Sequence, residues 1–96
     1  MKISKAQELI KASYAEKDKR RGMDGTFMYF VEEVGELATA LREESDEACA
    51  SEFADCFAWL NSLANLKGIN LEEAFIEKYS ICSVCARAPC ICDTKP

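Results

Sequence analysis

The chain has 96 residues, 49% of them hydrophobic and 30% charged, the make-up of one soluble globular domain too small for a large core of its own. No apolar run approaches the roughly 20 residues of a membrane helix, and Met1–Lys5 is polar and not the apolar block of a signal peptide, so a cytoplasmic protein without a membrane partner is expected. The net charge of -5, with its densest basic run at Lys17–Arg21 interrupted by Asp18, leaves no footprint for nucleic acid, and the absence of histidine excludes imidazole acid–base chemistry and ligation.

Ser4 and Gln7 have capping-box spacing and predict a first helix to about Lys19, with Ala6, Leu9, Ile10 and Tyr14 apolar. Arg20–Gly25 holds two glycines and reads as a loop. A second helix is expected from about Thr26. Phe27, Phe30, Val31, Val34, Leu37, Ala38 and Leu41 recur at steps of three and one, so that partners fall three and four residues apart, which makes one apolar stripe and a candidate core. The polar run Glu43–Asp46 breaks this pattern, and Ser45 or Asp46 is placed to cap a third helix. That helix carries Cys49, Phe53, Cys56, Phe57, Leu60, Leu63 and Ala64 on one face and stops at Lys67-Gly68. Asn70 with Glu73 opens a short fourth helix to about Tyr79. The expected fold is all-α: a small bundle of about four helices spanning 1–80, then a cysteine-rich tail at 81–96, with the central helices antiparallel across their short connection.

Each central helix carries a second stripe. Tyr29, Glu33, Glu36 and Ala40 are separated by four, three and four residues, and Ala48, Glu52, Asp55 and Trp59 repeat that spacing. At about 100° per residue each set forms a narrow strip beside the apolar one. Acids at such spacing are usually a solvated face, but a solvated face mixes in basic residues, because like charges at i,i+4 are unfavourable. No Lys or Arg occurs between Phe27 and Leu41, or between Ala48 and Leu66. Four facing carboxylates would raise one another's pKa or bind a cation between them. Oxygen donors select a hard ion such as Mg²⁺ or Mn²⁺, and Mg²⁺ commonly shares its shell with substrate phosphates.

Glu32-Glu33-Val34-Gly35-Glu36 followed by Glu52-Phe53-Ala54-Asp55 resembles the EExxE and ExxD motif of MazG-type proteins. The flanking Arg21–Thr26 and Leu66–Ala74 segments, with Glu77-Lys78, are similar to that family too, so the likeness spans roughly residues 20 to 80. The resemblance implies an all-α pyrophosphohydrolase that cuts a nucleoside triphosphate to the monophosphate and pyrophosphate, with house-cleaning of non-standard nucleotides as its expected setting. It implies Glu33, Glu36, Glu52 and Asp55 as metal ligands, and Glu32 or Glu33 as the acid that orients or deprotonates the attacking water. It also implies Lys78 as a phosphate contact, and a homodimer or homotetramer. A different reading stays open, in which a zinc-stabilised helical interaction or regulatory module carries the acids without catalysis.

Cys82-Ser-Val-Cys85 and Cys90-Ile-Cys92 place four of the six cysteines in the tail. Four thiolates suffice for a closed tetrahedral zinc site, with disulfides or redox-active thiols, or a disordered tail, as the alternatives. Cys49 and Cys56, inside helices, read as small hydrophobes.

Overall fold

In the computed structural model, residues 1–94 are described; positions 95 and 96 of the expected tail lie outside them. Three helices follow in order: α1 (Ile3–Glu43), α2 (Asp46–Lys67) and α3 (Leu71–Tyr79), with no strand among the described residues. The all-α expectation therefore holds, with three helices where about four were expected.

The difference lies at residues 20–25. The expected loop is reduced to one residue, Gly22, whose φ of 82° and ψ of 171° interrupt an otherwise continuous α1. Only glycine adopts that region at low cost. The first two expected helices are thus two arms of one kinked helix. Gly25 stays helical and serves another purpose: a Cβ there would lie 2.8 Å from the Cγ of Arg21, so its bareness leaves room for that side chain.

Local signals set the other boundaries. Ser45 caps α2 by accepting from the amide of Ala48, and Gly68 ends it in the left-handed conformation. Asn70 caps α3 by accepting from the amide of Glu73. The Ser4–Gln7 capping box does not form: Lys2 is the cap position and offers no side-chain bond. Both residues are engaged across the fold. The Gln7 amide donates to Asn65 Oδ1 (3.0 Å) and to the Ile69 carbonyl (2.7 Å), and its Oε1 accepts from the Leu71 amide (2.9 Å). Ser4 donates its backbone amide to Glu72 (3.2 Å). A tertiary clasp between the start of α1 and the α2–α3 turn has displaced the local cap.

The second arm of α1 runs antiparallel to α2, as expected. The Cys49 thiol donates to the Ala40 carbonyl at one end (3.2 Å), and Tyr29 meets Trp59 further along. The apolar stripes, however, do not form the interior between them. Phe27, Val31, Val34 and Leu41 on α1, and Phe53, Phe57 and Leu60 on α2, are all exposed. Ala40 and Ala64 are the only buried hydrophobic residues among those described, and Asp18, Thr26, Asn61 and Ser62 are buried as well. The helix pair half-buries Glu33 and Glu52, leaves Glu36 and Asp55 exposed, and turns most of the large residues of its apolar stripes outward. The radius of gyration, 15.5 Å, exceeds the about 12–13 Å of a compact domain of this length. No helix among the described residues is long and apolar enough to cross a membrane.

Candidate metal and nucleotide site

Antiparallel pairing brings the middle of α1's second arm against the first half of α2. Carboxylate oxygens of Glu33, Glu36 and Glu52 all lie within 4.8 Å of one another. Glu33 and Glu52 are half-buried and Glu36 is exposed. Oε2 of Glu33 and Oε2 of Glu52 are buried and have no hydrogen-bond partner. A buried oxygen without a donor is costly, more so when it carries charge. Burial, a hydrogen bond that the protonated Glu33 donates to Glu52, and the charges of Glu36 and Asp55 raise the Glu33 pKa from 4.5 to about 7.

Asp55, the fourth expected ligand, stands outside this trio but close enough for its charge to act on Glu33. It lines an adjoining cavity of about 300 Å³ with Tyr14, Lys17, Asp18, Arg21 and Trp59. Glu32 is exposed and shares a shallow depression with Glu36 and Glu52, so it sits on the rim of the cluster. Lys78 lines a different groove, with Glu77, Cys82 and Ser83, and its ammonium lies 5.6 Å from the Tyr79 ring. None of the four acids lines that groove.

Cys56 neighbours the acids but is not suited to join them. Burial, then the charges of Glu33, Glu52 and Asp55, push its thiol up and keep it protonated. Cys49 and Cys56 are both half-buried, and the Cys49 thiol donates to the Ala40 carbonyl.

The basic side of the site is absent from the sequence reading. Asp18, 2% exposed, accepts from Arg21 Nη1 at 2.9 Å, and its Oδ2 is buried without a partner. The Arg21 guanidinium lies 4.8 Å from the Trp59 ring centroid and 5.4 Å from that of Tyr29. The rings of Tyr29 and Trp59 stack on each other. Residues from both sides of the Gly22 kink thus converge on Trp59. In sequence, Lys17–Arg21 looks like a short solvated run. The available signal was the i,i+3 spacing of Asp18 and Arg21 directly before a glycine.

The donor set suits a hard cation. Three carboxylates converge, two of their oxygens are buried without partners, and oxygen ligands are what Mg²⁺ and Mn²⁺ prefer. The model of the MazG nucleotide pyrophosphohydrolase domain matches residues 21–81. This chain belongs to the MazG family. No curated protein matches it. Membership points to nucleotide pyrophosphohydrolase activity and a nucleotide substrate. The MazG match takes in all five acids of the motif and Arg21, and it stops one residue before Cys82.

The tail holds a second group of donors. The sulfurs of Cys82, Cys85, Cys90 and Cys92 also lie within 4.8 Å of one another, an arrangement able to hold a metal. It is built on the segment that follows the MazG domain.

Proposed function

We propose that this protein hydrolyses a nucleoside triphosphate to the nucleoside monophosphate and pyrophosphate, with Mg²⁺ or Mn²⁺ held by Glu33, Glu36, Glu52 and Asp55. The observation that carries this reading is the convergence of Glu33, Glu36 and Glu52 with two buried, unpartnered oxygens. A divalent ion there supplies charge neutralisation for the phosphates and Lewis acidity toward the scissile centre.

The chain's own residues provide the rest. Arg21 and Lys17 set positive charge beside Asp55, next to the cluster, where they offset a triphosphate's charge. Arg21 is held in place by Asp18 and by the two rings, so it meets the substrate with little loss of freedom. Water attacks the α-phosphorus and pyrophosphate leaves. Glu33, at the centre of the acid cluster, accepts the proton from that water. Glu32, at the rim, is the alternative acceptor. Lys78, in the groove beside the tail, stands apart from the triphosphate site of a single chain, and Arg21 takes over the phosphate contact expected of it. The cavity of about 300 Å³ is the place for the nucleoside.

The uncovered apolar stripes support a second copy of the chain as partner. Two antiparallel pairs that meet along these stripes close a four-helix bundle about a two-fold axis. The acids of each copy then remain inside its own helix pair. A dimer, or a dimer of such dimers, is the assembly proposed, in a reduced cytoplasmic setting and with residues 1–80 as the catalytic domain. House-cleaning of non-standard nucleotides is the role proposed for it.

A panel of canonical and modified nucleoside triphosphates, assayed for pyrophosphate release with and without Mg²⁺, tests this. The expected result is metal-dependent release from at least one nucleotide, lost in Glu33→Gln. Turnover that survives both metal removal and that substitution would overturn the reading.

A further inference from the structure

The tail from Ile81 lies beyond the catalytic motif, and its cysteines have no part in the hydrolase reading. Their geometry is specific. Cys82 and Cys92 sulfurs are 3.9 Å apart, as are those of Cys85 and Cys90. A disulfide would hold them about 2 Å apart. Four sulfurs at about 2.3 Å from a central tetrahedral ion are separated by roughly 3.8 Å along each edge. These two separations match edges of a metal–thiolate tetrahedron, and all four sulfurs lie within 4.8 Å of one another.

The backbone around the sulfurs has the form of a ligand cradle. The first cysteine of each pair accepts a main-chain amide: Val84 N–H donates to Cys82 Sγ (3.4 Å), and Cys92 N–H to Cys90 Sγ (3.3 Å). Such donors stabilise thiolate charge and orient the ligand. The spacer is folded back by two backbone bonds, Ala86 N–H to the Cys82 carbonyl (2.9 Å) and Cys82 N–H to the Arg87 carbonyl (3.2 Å). Apolar burial does not account for this fold. Ile81, Val84 and Ile91 are 47%, 67% and 63% exposed, so the segment has no interior of its own.

We propose that Cys82, Cys85, Cys90 and Cys92 bind one zinc ion in a closed, structural site that folds the tail against the end of α3. All-sulfur ligation selects zinc over the hard cation of the acidic cluster, so one short chain keeps two metals apart by donor type. Four protein ligands leave no open position, so this zinc takes no part in hydrolysis. Folding of the tail is coupled to metal binding, because each ligand is ordered by the ion.

The test does not depend on turnover and is read on the full chain purified without chelator. Elemental analysis is expected to give one zinc per chain that persists through gel filtration. Exchange with Co²⁺ is expected to give thiolate charge-transfer bands and visible bands of tetrahedral intensity. Cys90→Ser with Cys92→Ser should lose the zinc and at least 10-fold of the amide-exchange protection at 82–92, while α1 and α2 keep theirs. Iron in place of zinc, a mass lower by four hydrogens from two disulfides, or zinc retained in the double variant would each overturn the proposal. Should the variant fail to fold, the cobalt spectrum of the unaltered chain decides, and bands without tetrahedral thiolate character count against the site.

Discussion

Tyr29 of α1 and Trp59 of α2 stack with ring centroids 5.1 Å apart and planes 13° from parallel. Each ring takes up a face of the other, so no base is sandwiched between them while the stack holds. Aromatic pairs of this kind add about 0.5–1.5 kcal/mol beyond the area they bury. A double-mutant cycle over Tyr29→Ala and Trp59→Ala, followed by chemical denaturation, is expected to return a coupling energy in that range. Strict additivity would mean that the rings merely neighbour each other.

Removing a single charge from the acid cluster separates ligation from folding. Glu33→Gln and Glu52→Gln are each expected to lower pyrophosphate release by about 10²–10⁴-fold while leaving the helical circular dichroism intact. Asp55→Asn, on the neighbouring wall, is expected to be nearly as severe. Unfolding of the metal-free protein should occur at a higher temperature in Glu33→Gln than in the parent, because the repulsion disappears.

The same repulsion sets a pH dependence. An acid whose pKa rises from 4.5 when unfolded to about 7 when folded keeps its proton longer in the folded state. Between those values the folded chain binds more protons than the unfolded chain, so stability falls as pH rises through the window and levels off above it. Thermal unfolding of metal-free protein from about pH 5 to about pH 8 should show this decline, at roughly 4–8 °C per kcal/mol. Mg²⁺ should restore the loss at the upper end. A flat profile that is identical in Glu33→Gln would contradict the assignment.

Gly22→Ala probes the kink without crowding it, because nothing lies within 4 Å of a Cβ built there. The cost is then one of backbone conformation, about 1–3 kcal/mol. A lower denaturation midpoint with an unchanged denaturant slope is the expected signature. Arg21 adjoins the kink, so the Michaelis constant for the nucleotide should rise as well.

A charge placed on the uncovered stripe tests the assembly. Phe53→Glu and Val31→Glu lie away from the acid cluster and are both expected to shift the protein to monomers in light scattering. If both variants keep the mass of the parent assembly, the interface lies elsewhere.

Much of this was legible in the sequence, for identifiable reasons. The caps at Ser45 and Asn70 and the stop at Gly68 depend on contacts within a few residues, and all three form as read. Gln7 was misread because distant partners, Asn65, Ile69 and Leu71, outbid its neighbours. The acidic strips stood out through their spacing and their lack of basic residues. Periodicity reveals the angle between two stripes but not which of them meets the partner helix, so Phe27, Val31, Phe53 and Phe57 read as core and are exposed within the single chain. Asp18 and Arg21 read only as part of a charged run, because such a run looks like a wet surface until its burial is known.

That inversion of the amphipathic pattern has a consequence for the chain as it is made. If two copies pair as proposed, a newly synthesised copy carries exposed apolar side chains and crowded carboxylates, and is at its most adhesive and least settled until its twin arrives. Under that proposal, demand for rapid pairing and sensitivity to dilution follow from how these helices are turned.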